Sequence, residues 1–270
     1  MTTFETDGFL SAEILEFART IAGRYARKFE LAADTNRLTH RVIYSVKPHS
    51  EHAPDLLLAA LLIRQASAFQ SIVILLRNGL ETQSQVLLRN LAEMMFITGA
   101  IRKDETFVER YVLAEQVGRL KALEAIVRDK HRRHEEIDAD TTRLIVELRA
   151  EIERDPPEKF TTERIAGIAG LSSYYDNVYR YTSMAVHSSP RELNTAFVVD
   201  ADGNVVSMRY EPVIDDLDIC FDYGVTMMLY TLHETASHFD LDLVGDIENL
   251  QHINQRLAGP TVQQLGARPQ

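Results

Sequence analysis

Residues 55 to 78 read DLLLAALLIRQASAFQSIVILLRN, and Gly79 follows. From Leu56 to Leu76 apolar side chains fall on nearly every face of a 3.6-residue period, the pattern of a helix enclosed by other helices. The stretch therefore predicts a central buried rod from Asp55 to Asn78, with Gly79 as its C-cap. Outward from that rod, short connections lead to helices over Glu81–Ile101 and Glu105–Arg128, and short connections make antiparallel neighbours.

Upstream, a helix is expected from Ser11, as N-cap, to about Ala33, with an irregular segment from His40 to Pro54 punctuated by Pro48 and Pro54. Downstream, helices are expected over Thr141–Arg154, Thr162–Ile168, Ser172–His187, Ile214–His238 and Val244–Leu257, with Pro156 and Pro157 stopping the first of these. Between Ala196 and Tyr210 the period changes to two around Asp202-Gly203, which spells a hairpin. The predicted fold is all-α, an up-down bundle of about seven or eight helices with one small β-hairpin near residues 196–210. A single helical domain over residues 1–258 and a flexible C-terminal tail over 259–270 are expected.

Composition narrows the function classes. Hydrophobic residues at 45% and charged residues at 26% describe an ordinary globular chain. Arg64 and Arg77 close off the longest apolar runs, so no membrane span is expected; with no secretory leader visible at the N-terminus, a cytoplasmic location is. The single cysteine, Cys220, excludes an internal disulfide and reads as a small buried hydrophobe. A net charge of -11 opposes general coating of polyanions and leaves room only for a local basic site.

Several chemistries find no support in the pattern. Neither Gly-rich phosphate loop is present. His233 and His238 are five apart, about 140° around a helix, so they do not make a zinc pair with each other. Asp200, Asp202 and Asn204 alternate as in a calcium loop but lack the remaining ligands, and a hairpin turn accounts for them. Asp215, Asp216 and Asp218 suit a helix start, and the basic run Arg128 to His134 meets Glu135 and Glu136 as a solvated turn. No metal ligands and no cofactor are expected.

One constellation remains. Arg180 and His187 are seven residues apart, nearly two turns, and project from one stripe about 10 Å apart along the axis. A guanidinium can hold a phosphate by two parallel hydrogen bonds and an imidazole exchanges protons near neutrality. Together they suit metal-free RNA cleavage by the ribose hydroxyl. Ser183, one turn from each, can bond a phosphate or orient the imidazole. The alternative is structural: Arg180 pairs with an acid and His187 caps the helix. Arg89 and Glu93, four apart in the otherwise apolar run from Val86 to Phe96, read either as an exposed pair or as an inward one that supports Arg180. A metalloenzyme using Glu93, His187 and the aspartates near Asp215 is a weaker reading, because no Glu-x-x-His pair occurs on a buried face.

Leu88-Arg89-Asn90-Leu91-Ala92-Glu93, followed by Tyr179-Arg180-Tyr181-Thr182-Ser183-Met184-Ala185-Val186-His187-Ser188, resembles the HEPN superfamily (higher eukaryotes and prokaryotes nucleotide-binding). Within it, the likeness is to a bacterial branch catalogued as a domain of unknown function, and it spans roughly Ala60 to Tyr230. The resemblance implies a helical bundle that forms a homodimer and, in many members, a metal-independent endoribonuclease of defence or toxin systems. Carried over, Arg180 and His187 are the catalytic pair with Ser183 beside them, and Arg89, Glu93 and Tyr179 support the site. Two positions depart from the pattern of active members: Tyr181 follows the arginine where a polar residue is usual, and Ser189 replaces a tyrosine. RNA is the expected partner, and a non-enzymatic, partner-binding scaffold is the alternative.

Overall fold

A computed structural model describes residues 3–186 and 193–258. It is helical almost throughout, with one two-stranded antiparallel sheet, an all-α fold with a small hairpin as expected. In chain order the helices are α1 (Thr3–Asp7), α2 (Glu13–Arg24), α3 (Ala26–Ser45), α4 (Ala53–Arg77), α5 (Glu81–Lys103), α6 (Phe107–Arg132), α7 (Ala139–Arg154), α8 (Thr162–Ile168), α9 (Ser172–Tyr174), α10 (Arg180–Val186), α11 (Leu217–His238) and α12 (Val244–Leu257). A π-helical turn, Tyr175–Tyr179, joins α9 to α10. Strands β1 (Phe197–Val199) and β2 (Val205–Met208) form the hairpin.

Three helices make the centre: α4, α5 and α11 pack against one another. Leu58, Leu62, Phe69, Ile72 and Leu76 of α4 meet Leu88, Leu91 and Met95 of α5 and Leu217, Val225, Met228 and Leu232 of α11 in one apolar core. A buried polar pin runs through it, since Thr231 donates to Gln65, whose amide donates to Thr98 at 3.1 Å, so all three helices share one chain of hydrogen bonds. By length and composition α4 does meet the requirement for crossing a membrane, despite Arg64; here its inner face, Asp55 and Gln65 included, is buried within the fold.

The turn between α4 and α5 is set by Gly79, whose φ of +72° only glycine adopts at low cost. Gly79 donates to the Leu76 carbonyl and Leu80 to that of Leu75, the Schellman arrangement that ends a helix. A side chain here has no room either: a Cβ on Gly79 would lie 2.4 Å from Pro212 Cβ.

Boundaries differ from expectation in three places. The predicted first helix is broken at Tyr25 into α2 and α3, and Ser11 gives α2 no side-chain cap. The segment from His40 to Ser45, expected to be irregular, continues α3, because Leu31, Thr35, Leu38, Thr39 and Val42 form one buried face. The two threonines on that face return their hydroxyls to backbone carbonyls a turn earlier. Ser172 to Val186, expected as one regular helix, contains the π turn. The proposed tail, residues 259–270, lies outside the described residues, as do His187, Ser188 and Ser189.

Helices α6 and α7 pack along each other, and only Phe107 and Val108 of α6 are buried. The predicted solvated turn between them is one: Arg133 pairs with Asp129 and Glu135, and Lys130 with Asp138 at 3.6 Å.

Candidate functional site

Helices α8 and α10 and the π turn pack on α5, which brings Tyr179 against Arg89 and Glu93. Arg89 and Glu93 sit one turn apart on α5, and their charged groups approach to 3.4 Å with both side chains partly covered. The Tyr179 hydroxyl accepts from Arg89 Nη2 at 2.6 Å and donates to Glu93 Oε1 at 2.9 Å. The Arg89 guanidinium also lies over the tyrosine ring, 4.7 Å from its centroid, so one aromatic side chain satisfies the cation by face and by edge. Arg89 Nε is buried and has no hydrogen-bond acceptor among the described residues. The pair is partly covered and turned to Tyr179 rather than fully exposed, and its partner differs from the Arg180 that the inward reading expected.

Glu93 does not hold Arg180. Arg180 turns outward, 60% exposed, with Nε 3.2 Å from Asp176 Oδ1 and Nη2 3.9 Å from Glu163 Oε1. Its guanidinium covers the Tyr175 ring at 5.3 Å, and that ring stacks on Tyr179 at 5.1 Å. Tyr179, the last residue of the π turn, faces inward, and Arg180, the next residue and so about 100° further round the helix, faces outward. Ser183 donates its hydroxyl to the Tyr179 carbonyl at 2.6 Å, bonding within its own helix. His187 lies outside the described residues, so the structure brings Tyr179, Arg89 and Glu93 together, with Arg180 and Ser183 on the adjoining helix.

Thr162, whose Oγ1 is 3.4 Å from the Tyr179 hydroxyl, lines an open cleft of about 490 Å³ with Tyr111, Glu115, Lys121 and Phe160. Burial, with the charges of Glu115 and Glu93, raises the Tyr111 phenol above its ordinary value. On the other side of α10, Tyr181 donates to Asp216, whose carboxylate also accepts from Gln85 and whose backbone N–H donates to Glu81 at 2.6 Å. Asp216 thus joins α5, α10 and the start of α11. Burial and the nearby Asp216 and Asp215 carboxylates push Glu81 up to about 7 against the backbone bond from Asp216.

A second cluster was not read from the sequence. Asp55, 4% exposed in the first turn of α4, accepts from three imidazoles. His52 Nδ1 lies 2.5 Å and His238 Nε2 2.7 Å from Asp55 Oδ1, and His49 Nδ1 lies 2.7 Å from Oδ2. The His49 backbone N–H adds a bond of 3.0 Å to Oδ2. Burial pushes the Asp55 carboxyl up, but the bonds from His238, His49 and His52 outweigh it and hold it well below the usual carboxylate range. The legible signal was His49-x2-His52-x2-Asp55 just ahead of the apolar rod. The partners of His238 stand not on its own helix, where His233 is, but about 180 residues earlier in the chain, beyond the reach of any spacing rule.

No curated protein and no solved structure matches the chain. A family model described as a family of unknown function (DUF5677) matches residues 55–205, more than half of the 270 residues. The match takes in Arg89, Glu93, Tyr179 and Arg180 together with His187, and leaves His49, His52 and His238 outside. The chain belongs to this family, DUF5677, through the helices that carry the Arg89–Tyr179–Glu93 network.

Proposed function

We propose that this chain is a HEPN-like protein that binds RNA or a nucleotide through the Arg180 face and cleaves RNA without a metal, as a homodimer. The single observation that carries the reading is the contrast between neighbours: Tyr179 is locked to Arg89 and Glu93, while Arg180 is presented outward over the Tyr175 ring, its ion-pair partners among the described residues being exposed carboxylates. Exposed ion pairs contribute little, about 0 to 1 kcal/mol, so a phosphate offering two parallel bonds displaces them at small cost.

In the cleavage step the ribose 2′-oxygen attacks the adjacent phosphorus and the bond to the 5′-oxygen breaks. The products are a 2′,3′-cyclic phosphate and a 5′-hydroxyl. His187 takes the 2′-hydroxyl proton, the leaving 5′-oxygen takes a proton from the protonated imidazole of His187 in the second copy, and Arg180 offsets charge on the phosphoryl oxygens. The test is a labelled single-stranded RNA incubated with the purified chain in chelator. Cyclic-phosphate ends that disappear in Arg180→Ala, with an unchanged melting temperature, support the reading; absence of cutting by the wild-type chain overturns the enzyme.

The hairpin favours a partner-binding role as well. Phe197, Val198, Val199, Val205, Val206 and Met208 are all exposed, on both faces of a two-stranded sheet. An isolated two-stranded hairpin is marginal in water, and exposed apolar patches mark interfaces. The occupant consistent with the proposed dimer is a second copy of this chain, laid against the hairpin.

A further inference from the structure

The Asp55 carboxylate takes four donors, three of them imidazoles, which fills its accepting capacity. His52 Nδ1, Asp55 Oδ1 and His238 Nε2 lie within 4.8 Å of one another, and two of these imidazoles converge on a single oxygen. They come from three places: the residue before α4, the first turn of α4 and the last turn of α11. A pocket of about 550 Å³ opens over them, walled by Lys47, His49 and Asp240.

We propose that His52, Asp55 and His238 bind one divalent transition-metal ion of the zinc class, its fourth coordination position turned to the pocket. Two imidazoles and a carboxylate are a ligand set that zinc-class ions take, and three protein ligands with one open position is the geometry of sites that bind water or substrate. Around a tetrahedral ion with bonds of about 2.1 Å, ligand atoms stand roughly 3.4 Å apart. From the observed 2.5 and 2.7 Å, each ring retreats from Asp55 Oδ1 by less than about 1 Å while the two imidazole nitrogens, within 4.8 Å of each other, settle to the same spacing, and His52, half exposed at the helix start, has room to move.

The arrangement also identifies a competitor. Arg102 Nη1 stands 3.0 Å from His238 Nδ1, and because a guanidinium only donates, Nδ1 accepts and Nε2 carries the proton given to Asp55. A metal on Nε2 moves that proton to Nδ1 or releases it. In the first case two donors face each other, and Arg102 turns toward Glu234, whose carboxylate is 3.5 Å from its Nε. Arg102 is therefore a positioning residue that holds the metal-free tautomer.

The experiment is equilibrium dialysis of the full chain against Zn²⁺, with Co²⁺ absorption as a second readout of tetrahedral ligation. One ion per chain is expected. His52→Ala should weaken binding at least 100-fold while the circular dichroism stays that of the wild type, and His252→Ala, an exposed histidine elsewhere, should change nothing. Arg102→Gln, whose carbonyl can accept from Nδ1–H, should tighten binding about tenfold. No bound ion at micromolar zinc, equal binding in His52→Ala, or loss of the ion in Arg102→Gln overturns the proposal.

Discussion

Asp55 Oδ1 accepts from His238 Nε2 at 2.7 Å although 183 residues separate the two, and the bond clamps the start of α4 to the end of α11. Two of the three central helices are thus fixed at one end by a single carboxylate. Because the Asp55 carboxyl is held below its ordinary range, its contribution is fully present above the unfolded value of about 4 and is lost as pH falls below that. Asp55→Asn in chelator is expected to cost about 2 to 4 kcal/mol at pH 7 by urea unfolding, with the difference from wild type shrinking below pH 4. A difference that persists undiminished in acid would contradict the charged role.

Glu81 carries the opposite sign. Its folded value is raised to about 7, so the neutral form is the stable one, and its contribution is complete below the unfolded value near 4.5 and lost as pH rises through 7. Glu81→Gln, which keeps an acceptor for the Asp216 N–H, should stabilise the chain at pH 8 by roughly 1 to 3 kcal/mol and leave it nearly unchanged at about pH 4, below the unfolded value. Thermal melts at the two values measure this directly.

Tyr179→Phe removes the hydroxyl that links Arg89 to Glu93 and keeps the ring. The loss of two bonds to charged partners beside buried groups should cost about 1 to 3 kcal/mol in urea unfolding. Arg180→Ala, by contrast, should fall within about 0.5 kcal/mol of wild type, since its carboxylate pairs are exposed. Equal costs at the two neighbours would deny that Tyr179 anchors the site while Arg180 is presented from it.

Val206→Glu places a charge on the exposed hairpin without touching the core. Light scattering after size-exclusion is expected to show a dimer for the wild-type chain and a monomer for the variant. A wild-type monomer at micromolar concentration would remove the second copy from the account.

The elements were legible where periodicity is strong and unlegible where contacts decide. The apolar run from Leu56 to Leu76 marked α4, and Gly79 marked its end, because both signals are local. The continuation of α3 to Ser45 and the break at Tyr25 depend on which face meets the core, which no local pattern states. Arg89 and Glu93 stood out as charges in an apolar run, yet their partner is Tyr179 and not Arg180, because which side of the Tyr179–Arg180 helix meets α5 is decided by tertiary packing that spacing along one helix does not state. The Asp55 cluster joins residues from opposite ends of the chain, and only the packing of α4 against α11 brings them together.

Under the proposed function, Arg180 and His187 act on RNA as one site. This is tested most directly by the initial rate of cleavage of one labelled RNA, in chelator, by the wild-type chain and by His187→Ala. Cyclic-phosphate products are expected from the wild type and a loss of at least 100-fold in rate in the variant, with an unchanged melting temperature. Equal rates in the two chains would contradict it.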